Sequence, residues 1–159
     1  KKYSEIPTSA LMLSHASYPS IDESKKPATF SSTISKELLR NEIGYKGLVI
    51  TDDLMMEGAK GFSSFEENVA SAINSGADLL LFAWSKKSQL KAKNAIVSAV
   101  KNGKISLEVL DEKVGRILQT KNLLTAPGEK ISRSVSLSPE SEFKNVVYKL
   151  ALVRRARIK

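Results

Sequence analysis

Two adjacent carboxylates, Asp52 and Asp53, stand directly after the apolar run Gly47-Leu48-Val49-Ile50 and Thr51, and before Leu54-Met55-Met56-Glu57-Gly58-Ala59. An apolar run of this length suits a strand buried on both faces. In parallel α/β folds, ligands and catalytic groups gather just past the C-terminal ends of such strands. Successive side chains of a strand point to opposite sides. If the strand persists through the pair, only one carboxylate faces a pocket, and the other is left to cap a helix or bind backbone amides. An ordinary turn or N-cap role for both stays open, because Asp is common at strand-to-helix turns. His15 is the single histidine and there are no cysteines. These counts exclude a multi-histidine metal site within one chain, a thiolate zinc site, a disulfide scaffold and a cysteine nucleophile.

The elements that must position these residues alternate in period. Ala10-Leu11-Met12-Leu13, Gly47–Ile50 and Leu79-Leu80-Leu81-Phe82 are short apolar runs, each followed by a helical pattern. The spacing predicts helices over about 33–43 (Ile34, Leu38, Leu39, Ile43), 65–75 (Val69, Ala72, Ile73), 87–101 (Leu90, Ile96, Val97, Val100) and 107–121 (Leu107, Leu110, Val114, Ile117, Leu118). Ser63-Ser64 before Glu66-Glu67 has capping-box spacing, Ser106 suits an N-cap, and Gly44, Gly76 and Gly103 suit helix stops. The order β-α-β-α-β-α-α is that of a parallel α/β arrangement. Residues 125–138 read as a linker, and Ser138-Pro139 opens an amphipathic basic helix over 139–159. Three parallel strands are too few to close a barrel and leave two open edges, so the chain is expected to lack a further part or a partner.

Several ordered motifs over residues 8–124 resemble the N-terminal catalytic domain of glycoside hydrolase family 3, in particular its bacterial β-N-acetylhexosaminidases of the NagZ type. Thr51-Asp52-Asp53-Leu54-Met55-Met56-Glu57-Gly58-Ala59 resembles the family's Ser/Thr-Asp-Asp-Leu-x-Met-x-Gly-Ala. Ser14-His15, Tyr18-Pro19-Ser20-Ile21-Asp22 and Pro27-Ala28-Thr29-Phe30-Ser31 resemble its upstream strand end and the segments that follow. Leu39 to Gly47, Ala72 to Asp78, and the pair Val100–Gly103 and Arg116–Leu118 also match its pattern. The resemblance implies a TIM-type (β/α)8 barrel, of which residues 1–124 hold only the last three βα units. Such a barrel takes on the order of 250 residues.

The resemblance also implies a retaining mechanism in which Asp52 attacks the anomeric carbon, with Asp53 in support. A nucleophilic carboxylate must be ionised, so its site should offer hydrogen bonds or a cation. His15 and Met56 are the implied sugar-binding residues. No cofactor and no metal is implied. A retaining glycosidase needs an acid/base partner. In the resembled enzymes it is a loop His held by an Asp, and no such motif stands in this chain, so it is expected upstream of residue 1. Full activity is therefore expected only of a parent protein, on N-acetylglucosamine-containing saccharides derived from peptidoglycan. The partners expected are that saccharide and the missing N-terminal barrel part or a second copy of the chain. A non-catalytic sugar- or partner-binding fragment of the same fold is the alternative.

The remaining features are less specific. Trp84 lies just beyond the third apolar run, placed to stack on a sugar or to pack at an interface. Asp78 reads as a structural cap. Of 159 residues 25 are Lys or Arg and 17 Asp or Glu, net +8, and residues 125–159 hold eight basic and three acidic residues. The cluster Arg154 to Lys159 reads as a solvated helix end rather than a nucleic-acid site, since no recognition motif or aromatic interleaving accompanies it. A basic module that binds polyanions through this helix is a weaker alternative. No apolar run approaches the roughly 18–20 residues that span a bilayer, so no membrane partner is expected. The absence of cysteine fits a reducing compartment, which favours the cytoplasm and leaves an exported parent open.

Overall fold

A computed structural model of the chain describes residues 8–124. The expected linker and the basic helix over 139–159, with Arg154 to Lys159, lie outside the described residues.

Three parallel strands form one sheet in the order β1-β2-β3: β1 (Ala10–Leu13), β2 (Leu48–Asp53) and β3 (Leu79–Leu81). Leu11 pairs with Val49, Met12 with Ile50 and Leu13 with Thr51 across the first ladder. The second ladder pairs Ile50 with Leu79 and Asp53 with Leu81, with an irregularity between them. Strand β2 thus starts one residue later than the apolar run suggests and runs on through both carboxylates. Phe82 falls just beyond β3.

Between β1 and β2 lie a 3-10 turn (Ala28–Phe30) and a π-helix (Thr33–Glu42). The chain then forms α1 (Glu57–Lys60), α2 (Phe65–Ser75), α3 (Lys86–Lys101) and α4 (Leu107–Leu124). Ser64 caps α2 by accepting from the Glu67 amide at 3.2 Å, and Ser85 caps α3 through the Ser88 amide. Ser106 accepts from the Val109 amide at 3.3 Å at the start of α4. Gly76 ends α2 at φ 133°, a conformation that costs a residue with a Cβ more than it costs glycine.

Four of the apolar residues expected inward are exposed. In the first helix the i→i+5 pattern, seen in the bond from the Ile43 amide to the Leu38 carbonyl, takes more residues per turn than an α-helix. The 3.6-residue stripe therefore drifts, and Ile43 emerges at the surface while Leu39 stays buried. Leu90 is exposed because α3 packs through Ala92, Ala95, Ile96 and Ala99, a stripe of small residues that brings it close to α2. In α4, Leu110, Val114 and Ile117 face the core, and Leu107 and Leu118 lie at the rim.

The helices cover one face of the sheet. Val49 is fully buried there, with Leu13, Leu39 and Tyr45 in one cluster. Leu80, Phe82, Val69, Ile73, Ile96, Ile105 and Leu110 form the larger cluster between β3 and the helices. Ala10, Met12, Leu48, Ile50, Leu79 and Leu81 point to the opposite face, where none of them is fully buried and Met12 is 53% exposed. At roughly 25 cal/mol per Å², leaving such an apolar face in water forfeits much of what a strand buried on both sides gains.

One ionic cluster ties the layers together. The Asp78 carboxylate is completely buried and lies 2.7 Å from Arg40 and 2.8 Å from Arg116. The same carboxylate accepts the Val49 amide at 2.8 Å. Arg40 also donates to the carbonyls of Tyr45 and Gly47 at 2.8 and 2.7 Å, and Arg116 pairs with Glu112 at 2.7 Å. Every charge of this cluster thus meets a hydrogen-bonding partner, the condition under which burial is tolerated. Burial lowers the Arg40 pKa, with Asp78 opposing it. Burial works against the charge of Arg116 too, but Asp78 and Glu112 outweigh it and hold that pKa above its ordinary value.

Candidate active site

The two carboxylates diverge as strand alternation requires. Asp53 shares the helix-facing side of β2 with Val49 and Thr51 and is buried. Its Oδ1 accepts the Met55 amide at 2.9 Å and its Oδ2 the Ala83 amide at 3.4 Å. It therefore fixes the loop after β2 and ties it to the end of β3. Asp52 stands on the other side, with Leu48 and Ile50, and is half-buried. Its Oδ1 accepts the Asp53 amide at 2.8 Å. One Asp52 carboxylate is thus left at the C-terminal edge of the central strand, oriented by a backbone amide and facing the open side of the sheet. Asp53 is spent on structure.

The turn beyond this pair is held from several directions. Thr51, fully buried, accepts the Leu81 amide at 3.0 Å through its hydroxyl. The Leu54 amide donates to the Leu81 carbonyl at 3.1 Å, and the Met56 amide to the Asp53 carbonyl at 2.9 Å. Met56 precedes α1 in extended conformation and is 49% exposed, so its thioether is free to meet a ligand on this rim. Met55 packs against the larger core cluster.

His15 lies just past the C-terminal end of β1 and is bonded on both ring nitrogens, to the Thr29 hydroxyl and to the Asp53 carbonyl, at 2.9 and 3.0 Å. Its ring stacks 6.4 Å from Phe30, which in turn stacks on Phe62 at 4.6 Å. A Cβ on Gly58 would stand 3.0 Å from the His15 Cβ, so glycine lets α1 approach the histidine. The structure therefore brings Asp52, His15 and Met56 to one end of the sheet, with His15 against the residue following Asp52. Trp84 is 89% exposed beyond β3.

Sequence reasoning missed the part played by Thr29. It is completely buried, and its hydroxyl lies 3.1 Å from the Leu13 carbonyl and 3.0 Å from that of Ser14, besides meeting the imidazole. The only signal was a threonine in the Pro27-Ala28-Thr29-Phe30-Ser31 segment. Asp22 is a second such residue. Its carboxylate accepts the Ser24 amide at 2.9 Å and the Ser31 hydroxyl, and the bonds from Ser24 and Ser31 hold its pKa below the ordinary value. Among the described residues no group of three or more His, Asp or Glu is placed to hold a metal ion, and no helix is long and apolar enough to cross a membrane.

Comparison with known proteins places this arrangement in a family. Residues 3–120 match the model of the glycosyl hydrolase family 3 N terminal domain. A beta-hexosaminidase of Neisseria meningitidis serogroup C is 42% identical over 72 residues, which is 45% of this chain and 19% of that protein. Beta-hexosaminidase A of Pseudoalteromonas piscicida is 26% identical over 96% of this chain and 28% of its own length. Among solved structures, a glycoside hydrolase family 3 beta-N-acetylglucosaminidase from Paenibacillus sp. str. FPU-7 superposes with a TM-score of 0.67 at 33% identity, over 89% of this chain and 27% of that one. The beta-glucoside phosphorylase BglX superposes with the same TM-score at 27% identity, over the same shares. The chain thus spans about a fifth to somewhat over a quarter of these four proteins. With a match over some three quarters of its length, and with an aspartate presented at the end of its central parallel strand, the chain belongs to the glycosyl hydrolase family 3 N-terminal domain family.

Proposed function

We propose that this chain is the nucleophile-bearing part of a retaining β-N-acetylhexosaminidase, and that Asp52 is its nucleophile. The observation that carries the reading is the division of labour within the Asp-Asp pair. Asp53 is buried and bonded to the Met55 and Ala83 amides, while Asp52 faces the open side of the sheet at the strand end. The hexosaminidase names of the relatives support the substrate class.

In the first step an Asp52 carboxylate oxygen attacks the anomeric carbon, the bond to the leaving oxygen breaks, and an acid protonates that oxygen. In the second, water attacks the same carbon and the carboxylate leaves, so configuration is retained. The amide of Asp53 steadies the attacking carboxylate. Met56 lies on the rim where the apolar face of a sugar ring would rest. The acid/base group is supplied from outside residues 8–124, by the remainder of a barrel that also covers the open face. Peptidoglycan-derived N-acetylglucosaminides are the substrates we assign.

A trapping experiment tests this. A 5-fluoro N-acetylglucosaminyl fluoride lets the covalent intermediate accumulate, and peptide mapping of the complete enzyme should find the sugar ester on Asp52. Asp52→Asn should lower kcat by about 1000-fold or more, since the nucleophile is lost outright. A label on any other carboxylate sinks the assignment. The 159-residue chain alone should show no turnover, and hydrolysis by the pure chain that Asp52→Asn abolishes would refute that part.

A second reading has its own observation, the equal superposition on a beta-glucoside phosphorylase. There phosphate in place of water would release the sugar from the Asp52 ester. Acceleration of turnover by millimolar phosphate, with a sugar 1-phosphate as product, selects that reading; indifference to phosphate selects hydrolysis.

A further inference from the structure

The bond between the single histidine and the strand that carries Asp52 contains a proton assignment. A carbonyl oxygen only accepts. The His15 Nε2 faces the Asp53 carbonyl at 3.0 Å, so this nitrogen must carry a hydrogen whatever the charge on the ring. The same carbonyl takes the Met56 amide at 2.9 Å, which uses both of its lone pairs. Nδ1 faces a different kind of partner. The Thr29 hydroxyl has one hydrogen and three neighbours, the imidazole and the carbonyls of Leu13 and Ser14. With that hydrogen turned to the carbonyls, the hydroxyl oxygen accepts from a protonated Nδ1, and the ring is an imidazolium. With it turned to Nδ1, the ring is neutral. Thr29 is completely buried, so no water competes for its hydroxyl.

We propose that His15 is a positioning residue whose Nε2–H holds the Asp53 carbonyl, and with it the turn after Asp52, in both charge states, while the Thr29 hydroxyl rotates to accommodate gain or loss of the Nδ1 proton. The balance is simple. Protonation adds one proton from solvent to Nδ1, the O–H···N bond becomes N–H···O, and the hydroxyl hydrogen moves to the Leu13 and Ser14 carbonyls. The tie to Asp53 is untouched. A histidine whose second nitrogen faced a carboxylate or water would not be insulated in this way.

Among the charged groups on the elements around the ring, Glu23, Lys25 and Lys26 stand exposed in the loop after β1, and the others have partners of their own. Asp52 accepts the Asp53 amide, and Asp53 accepts the amides of Met55 and Ala83. On α1, Glu57 and Lys60 pair at 3.0 Å. In the loop after β1, Tyr18 shares a hydrogen bond with Ser14 at 3.3 Å and Asp22 accepts from Ser24 and Ser31. The 3-10 turn carries no titratable group.

With one histidine in the chain, the imidazole nitrogens give a single NMR pattern. Nitrogen-15 spectra of the 159-residue chain across pH should show the Nε2–H tautomer in the neutral form, with acidification turning Nδ1 from a bare to a protonated nitrogen while Nε2 keeps its hydrogen and shifts far less. An Nδ1–H tautomer, or the mixed tautomers of a free imidazole, overturns the proposal. The catalytic consequence rests on the Asp52 reading and is tested in the complete enzyme. His15→Ala should lower kcat about 100-fold, the effect of a small misplacement at the reacting centre, with KM changed less than about threefold. His15→Gln, which restores an N–H donor, should recover most of the loss. A rise in KM at unchanged kcat would instead make His15 a sugar contact, and failure of His15→Gln to rescue would remove the positioning role. If Asp52→Asn stays active, the nucleophile assignment falls while the tautomer result stands on its own.

Discussion

Lys113 has the least comfortable position of any charged residue in α4. It is buried, and burial first, then the charge of Arg116, lowers its pKa below the ordinary lysine value. A lysine depressed in the folded state binds its proton more weakly there than in the unfolded chain. Stability therefore rises with pH between the lowered folded value and about 10.4, the unfolded one. Lys113→Met should raise Tm at neutral pH, and its advantage over the wild type should shrink as pH climbs toward 10. Parallel thermal melts between pH 7 and pH 10 read both effects, and a constant difference would refute the linkage. Asp22 gives the same direction of pH dependence in the acid range, but there the ionised group stabilises the fold instead of straining it. Its lowered pKa contributes stability above about 3.9 that is lost as pH falls through the folded value, and Asp22→Asn should flatten that acid limb. Neither residue's burial was visible in the sequence. Asp22 was noticed only as part of a motif, and Lys113 not at all, because a lysine on a helix is ordinarily solvated.

At the scale of elements, β2 is held by its two backbone ladders and by side chains that bond across to it. Asp78→Ala would leave the partly buried Arg40 and Arg116 without their shared partner. Breaking a buried ion pair in this way costs about 3–5 kcal/mol, which chemical denaturation would measure as a lower midpoint at unchanged slope. Gly76→Ala should also destabilise, by about 1–3 kcal/mol, because its φ is 133° and the new Cβ would lie 2.6 Å from the Ser35 Oγ. Much of this level was legible beforehand. The alternation of short apolar runs with amphipathic segments gave three strands and four helical patterns, and the serine caps of α2 and α4 were readable from spacing. The π-helix was not, because its signal is a hydrogen-bond offset that no residue type announces. The small-residue stripe of α3 was missed for a related reason. Alanine is a weak hydrophobic signal, so Leu90 was expected inward where the alanines pack, although Ile96 and Val100 do meet the core as expected. Strand alternation did predict that Asp52 and Asp53 would separate. Which of them would be buried depended on the register with β1, and that is a tertiary fact.

For the whole molecule, the sheet has an outer edge on β1 and another on β3, and one face carries Met12, Ile50 and Leu79 without a covering layer among the described residues. Isolated, such a chain should associate. Sedimentation at increasing concentration should show species above the monomer, and Met12→Lys with Ile50→Lys should shift them back toward it. A monomeric chain with one cooperative unfolding transition at low concentration would contradict this. The sequence alone suggested the unpaired edges by counting strands, but only the burial pattern shows that the exposed face is the one carrying Asp52.

The Asp78 cluster also sets a limit on dissection. Arg40 and Arg116 each lie 38 residues from Asp78, on opposite sides of it in the chain. Each half of the molecule therefore supplies one of the two arginines that hold that carboxylate. A nick within residues 40–116 should be tolerated only if the two pieces remain together, whereas a shorter piece lacking either arginine keeps one ion pair to Asp78 and loses the other. A segment around Asp52 that keeps the whole cluster intact therefore runs at least from Arg40 to Arg116, a limit drawn by electrostatics rather than by strand count.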